Sequence, residues 1–223
     1  MSTPTSPFTP AFPPATTSTA DHEPARITAI ISALKMIPLI EGGYFVETDR
    51  DPLLIPSPFP PVPMKSVTPA AGAGQQTIRP GFDPAWRNAS TSIFYLITPS
   101  SPQGTFHRNR ARNVHTLHHG RGRYIVIHPD EKDEEKRVET FVVGPNVVAG
   151  ERLQWIVEGG TYKASFLLPD EEGEGGSDGG LLISETVVPG FEFYDHDFLE
   201  KEALREMVGE KRAEELEWLV REE

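Results

Sequence analysis

From Ser90 to Val188 the sequence is a succession of short β-branched or aromatic runs: Ser92–Thr98, Asn113–His119, Arg123–His128, Val138–Val143, Arg152–Val157, Tyr162–Leu168 and Leu181–Val188. Each run is closed by glycine, proline or a cluster of charges, as strands joined by turns are. Pro129–Lys136 and Asp170–Gly180, charged or glycine-rich, read as hairpin loops. Many short strands at near-regular spacing, with helices only at the ends, predict an all-β barrel or sandwich. A chain of 223 residues suffices for one such barrel with a proper core.

The flanks read differently. Ile27, Ile30, Ile31 and Leu34 recur at helical spacing, which predicts a helix from Pro24 that ends before Pro38. Tyr44–Thr48 alternates as a strand does. At the other end, Leu199, Leu204, Met207, Ala213, Leu216 and Leu219 form a broken apolar stripe, so Phe198–Val220 reads as one surface helix. Residues 1–22 are rich in Pro, Ser and Thr and read as a disordered tail. The division expected is therefore a tail at 1–22, one domain at 23–198 and a C-terminal helix at 199–223. Within the domain, the proline-dense insert at 51–85 is a long loop over a rigid body, or a lid.

Several function classes drop out early. The formal net charge of −12 argues against nucleic acid and against an anionic membrane surface. There is no cysteine, so disulfides, thiolate metal sites and cysteine nucleophiles are excluded. No apolar run approaches the ~20 residues of a membrane span. Met1 to Ala20 lacks the charged start and apolar core of a secretory signal. The expectation is a cytoplasmic protein whose partner is a small molecule.

Four stretches in order carry a resemblance: Glu41-Gly42-Gly43-Tyr44-Phe45-Val46-Glu47-Thr48, Ser92-Ile93-Phe94-Tyr95-Leu96-Ile97, Phe106-His107-Arg108 and Val188-Pro189-Gly190-Phe191-Glu192-Phe193. Together they resemble a cupin family long catalogued as a domain of unknown function, itself similar to the sugar-nucleotide 3,5-epimerase cupins. The resemblance runs from about Ile27 to Phe198 and implies a double-stranded β-helix, or jelly-roll barrel. It also implies a homodimer. Gly42-Gly43 permits a tight turn before an aromatic strand, and Pro189-Gly190 sets a second turn beside Phe191 and Phe193.

Cupins commonly hold a divalent metal with three histidines and a glutamate. Laid on the first cupin motif, this chain offers Gly104, His107, Asn113 and Gly120; on the second, Gly150 to Gly160, with Glu158 in place of the turn proline and Lys163 in place of a histidine. An amide and an ammonium replace a carboxylate and an imidazole, so no metal and no cofactor is expected. A shifted His107/His115/His119 site is the one rescue, since strand alternation puts His115 and His119 on one face.

Without metal, His107 is the first candidate for acid–base work and Lys163 the second. Tyr95 is the third, as a phenol donor. Tyr44, Arg108, Asn113, His115, Gln154 and Glu185 are candidate substrate contacts. Glu185 is either an exposed edge charge or a recruited carboxylate, and alternation lets only one of Gln154 and Trp155 face the cavity. The leading expectation is a metal-independent isomerase, epimerase or lyase acting on a small organic acid, sugar or polyketide-like compound. The alternatives are a non-catalytic binding cupin and a metal-dependent oxygenase.

Overall fold

The structure, a computed structural model, describes residues 6–12, 23–64, 78–170 and 180–221. Helix α1 (Ala25–Leu34) is followed by β1 (Ile37–Pro38), β2 (Tyr44–Arg50), β3 (Leu54–Pro56), β4 (Trp86–Asn88), β5 (Thr91–Ile97), β6 (Gln103–Asn109) and β7 (Arg112–His119). Then come β8 (Gly122–Ile127), β9 (Val138–Val143), β10 (Gln154–Val157), β11 (Tyr162–Leu167), β12 (Leu181–Val188), β13 (His196–Phe198), α2 (Lys201–Val208) and α3 (Glu210–Leu216). Two antiparallel sheets face each other, in the orders β1-β2-β5-β12-β7-β10 and β13-β6-β11-β8-β9. This is the expected jelly roll.

Strand alternation sorts the core into layers. Between the sheets lie Tyr95, Ile97, Tyr124, Val126, Trp155, Leu167 and Ile183. The outer face of the first sheet carries Tyr44 and Leu96, which α1 covers with Ile27. The outer face of the second carries Phe106, Ile125, Tyr162, Ala164 and Phe166, covered by Leu204, Val208, Ala213, Leu216 and Leu219. At about 1.5–3 kcal/mol for each large apolar side chain removed from water, these C-terminal residues are structural.

Three readings need correction. The C-terminal segment is not one helix: Gly209 takes φ 76° and ψ 159°, ends α2 and begins α3, and a short 3-10 turn follows at Glu217–Leu219. The break lets both pieces turn their apolar sides onto the curved sheet. Within the stretch expected to be disordered, residues 6–12 are placed. Phe8 is 5 % exposed in the outer core, and its carbonyl accepts a hydrogen bond from Trp218 Nε1 at 3.2 Å. Residues 1–5 and 13–22 lie outside the described residues, as does most of the Asp170–Gly180 loop. Strand β6 was absent from the sequence reading, because Gln-Gly-Thr-Phe-His-Arg-Asn has one large apolar residue and no β-branched apolar one. Its His107 and Asn109 side chains point into the cavity, where polar groups are needed.

The described parts of the insert, 51–64 and 78–85, are pinned to the barrel. β3 pairs with β4, Leu54 opposite Asn88. Arg87 is 1 % exposed, and its Nε and Nη2 donate to the two Asp195 oxygens at 2.7 and 3.0 Å. Arg110 Nη1 donates to Asp195 Oδ1 at 3.2 Å and to the Val62 carbonyl at 2.7 Å, so one buried carboxylate is linked through Arg87 and Arg110 to both described parts of the insert.

Candidate functional site

A cavity of about 770 Å³ opens between the sheets beside the β1–β2 turn. Its walls are apolar, with Ile37, Leu39, Phe45, Ile93, Val187 and Phe191 among them. Glu41, His107, Asn113, Lys163 and Glu185 form a polar floor, and Lys35, Arg50 and Arg79 stand with Glu47 and Glu192 among its polar lining. A mostly apolar pocket with a few convergent polar groups is the usual form of a small-molecule site.

The floor comes from strand register. β11 lies against β6 with Lys163 opposite His107, and β12 lies against β7 with Glu185 opposite His115. All four side chains point inward. Lys163 is 3 % exposed, and its Nζ donates to Glu185 Oε2 at 2.6 Å and to His115 Nε2 at 2.9 Å. Asn113 Nδ2 donates to the same carboxylate oxygen at 3.1 Å. Burial alone would raise the Glu185 carboxyl, but Lys163 and His115 outweigh it and hold it well below the usual carboxylate range. His115 stacks on Trp155 at 5.1 Å, and burial, then Lys163, lowers its pKa.

A second group comes from distant parts of the chain. Gly42 and Gly43 adopt φ 107° and 69° in the turn before β2, and a Cβ on Gly42 would stand 2.1 Å from the Gln103 carbonyl oxygen. Only glycine lets this turn press onto β6. The Glu41 carbonyl accepts from Thr105 N at 2.7 Å, which sets the Glu41 side chain over the same strand. Glu41 Oε2 lies 3.2 Å from His107 Nε2, and Oε1 lies 2.8 Å from His196 Nε2. The two imidazoles stack at 5.3 Å. His107 Nδ1 is 2.8 Å from the Thr105 carbonyl, which only accepts, so Nδ1 carries the ring proton. Burial lowers the His107 pKa to about 4 against the upward pull of Glu41, with Lys163 and His196 adding to the lowering. Burial would raise Glu41, yet His107, His196 and Lys163 together lower it.

The sequence candidates separate accordingly. His107, Lys163, Asn113 and Glu185 line the cavity, and Glu185 is the recruited carboxylate rather than an edge charge. His115 lies beneath Lys163, fully buried. Tyr95 is buried among the inner core residues, where burial, Glu41 and Glu185 push its phenol well above the ordinary value. Three candidates face elsewhere. Tyr44 sits on the outer face under α1, its hydroxyl 3.4 Å from Glu23. Arg108 alternates outward to Asp197 at 3.0 Å and to the Tyr162 ring. Gln154 is exposed and bonds Thr116, while Trp155 is the residue that turns inward. The rescue site does not assemble: a bulge between Leu182 and Ile183 resets the register, and His119 lies by Arg26 and Gly180. Glu41 and His196 escaped the sequence reading. Glu41 was read only for the turn beside it, and His196 is 155 residues away from it.

A metal held as cupins commonly hold it does not fit. The ammonium of Lys163, bonded to Glu185 and His115, fills the place of an ion, and Asn113 brings an amide where a carboxylate is needed.

The buried imidazole has a consequence for stability. An unfolded His107 takes a proton near pH 6.5, whereas the folded one resists it until about pH 4. The unfolded state therefore binds more protons in that window, and the stability present above pH 6.5 falls as pH drops toward 4, by about 3 kcal/mol. Urea denaturation of wild type and His107→Gln at pH 7 and pH 4.5 checks this: the variant should show a clearly shallower loss.

Among the described residues, no helix is long and apolar enough to cross a membrane. The chain is 43 % identical to the uncharacterized protein YML079W of Saccharomyces cerevisiae over 198 residues, 88 % of this chain and 87 % of that one. A hypothetical protein from Leishmania major matches in structure with TM-score 0.65 and 26 % identity, covering 87 % of this chain and 98 % of that one. Protein SO0799 from Shewanella oneidensis matches with TM-score 0.61 and 24 % identity, over 87 % and 97 % of the two chains, and shows the same fold. The family model described as cupin superfamily, DUF985, matches residues 28–199. With the jelly roll and the glycine turn that builds the floor, that match places the chain in this cupin family.

Proposed function

We propose that this protein is an isomerase, epimerase or lyase that moves a proton at the carbon beside a carbonyl of a small anionic compound, with side chains and no metal doing the chemistry. One observation carries the reading: register sets His107 opposite Lys163, so a neutral imidazole and a fixed ammonium open onto one cavity. His107 Nε2, its lone pair free of the ring proton, takes the proton from carbon. The imidazolium so formed is stabilised by Glu41 Oε2 at 3.2 Å. Lys163 spends two N–H bonds on Glu185 and His115 and has a third for the enolate oxygen. An anion bound nearby raises the His107 pKa toward neutrality, where a general base works best. Arg50 and Arg79 share the one carboxylate of Glu192, which leaves guanidinium N–H groups in the cavity lining to meet an anionic group of the substrate.

The test is carbon-bound hydrogen exchange in D2O, followed by proton NMR, across a panel of 2-oxo acids, 3-oxo acids and sugar acids. The expected result is exchange of one α proton, slowed ~100-fold or more in His107→Gln, the scale of a lost general base. Compounds that bind without exchange across the whole panel would make the cavity a storage or sensing site instead.

A further inference from the structure

Glu41, His107 and His196 each present a ligand atom, and these atoms lie within 4.8 Å of one another. We infer that these three side chains bind a divalent transition-metal ion of the zinc or cobalt kind, on the Glu41 side of the floor and clear of the space that Lys163 fills.

The geometry around His107 is the strongest ground. Its Nδ1 donates to the Thr105 carbonyl at 2.8 Å, so Nε2 presents a lone pair. That lone pair meets Glu41 Oε2 at 3.2 Å. Two acceptors facing each other at this separation are drawn together by a cation between them. Donors bound at ~2.0–2.1 Å to a tetrahedral ion stand about 3.3 Å apart, close to the spacing already present. The bond from Nδ1 to a backbone carbonyl is the outer contact that orients ligating histidines and fixes their tautomer. On the other oxygen, His196 Nε2 is 2.8 Å from Glu41 Oε1, and its ring is held by the edges of Phe191, Phe193 and Phe198.

Charge and softness agree with an ion here. Lys163 is balanced by Glu185 at 2.6 Å, which leaves Glu41 as a net negative charge beside two imidazoles. Two nitrogens and a carboxylate without thiolate suit zinc or cobalt better than calcium or magnesium. Glu41 and His107 line the cavity, so a bound ion keeps open positions toward it, as three-ligand sites do. This goes beyond the proton-transfer reading. An ion on His107 Nε2 takes up the lone pair that reading requires, so the ion-loaded protein is the form withheld from turnover.

The test needs no substrate. Metal-stripped full-length protein is titrated with zinc chloride by calorimetry and with cobalt(II) by visible absorption. The expected result is one ion per chain, with His196→Phe and Glu41→Gln each weakening affinity ~10-fold or more. Binding weaker than about 1 mM in wild type overturns the inference. So does unchanged affinity in both variants, which would put the ion on surface histidines such as His118. Should either variant melt before titration, the imidazole NMR signals of wild type decide: cobalt must broaden those of His107 and His196 first, and their persistence overturns the site. Because every readout is binding, failure here leaves the exchange experiment untouched, and the reverse holds too.

Discussion

Lys163→Met should cost the fold about 3–5 kcal/mol, the usual penalty for breaking a buried ion pair from one side. Methionine keeps most of the volume, so the loss is electrostatic. Glu185 is left buried with Asn113 and His115 as its remaining partners. Measured against the 5–15 kcal/mol of a typical domain, that is a large share of the stability. Urea denaturation at pH 7 reads it directly. Lys163→Met/Glu185→Gln should recover most of the loss, because the pair is removed together. Hydrogen exchange in D2O should fall by ~100-fold or more in both variants, since neither has an ammonium for the developing enolate. A single variant with wild-type stability would mean that Lys163 is not the charge holding Glu185 ionised, and the floor would have to be redrawn.

The second large effect is expected far from the cavity. Arg87→Met removes a bidentate partner from Asp195, leaving Arg110 as the remaining guanidinium on a buried carboxylate. It also takes the guanidinium from over the Phe82 ring, 4.8 Å from its centroid, and removes two hydrogen bonds to the carbonyls of Pro84 and Trp86. A destabilisation of about 3–5 kcal/mol follows, with limited proteolysis opening first in 51–85. Arg87→Lys should rescue little, because an ammonium cannot meet both oxygens or lie flat against the aromatic ring. Cleavage that begins elsewhere, or a lysine variant as stable as wild type, would show that the insert is held by other contacts.

The barrel was legible because its strands are short β-branched or aromatic runs closed by glycine, proline or charges, as at Leu181–Val188 and Val138–Val143. It was not legible at β6, where the inward residues Gly104 and His107 are not apolar and the signal vanishes. For the same reason His107 and Lys163 were found by their place in a family motif rather than by periodicity. Arg108 and Gln154 were misplaced by one step of alternation, which is all that separates cavity from solvent on a strand. His119 was misplaced by a bulge, a feature with no mark in this sequence. Glu41 and His196 could not be joined on paper. Their meeting depends on a glycine turn pressing against β6 and on β13 pairing beside it, His196 opposite Asn109.

That meeting also fixes when the site can exist. Glu41 and His196 stand 155 positions apart, and the sheet they adjoin is covered by side chains beyond residue 198. The β2–β5 pairing joins residues about fifty positions apart, whereas the Glu41–His196 contact spans 155. Pairings so distant in sequence form slowly and late. The three side chains can therefore come together only after β13 has paired with β6, a contact that spans most of the domain.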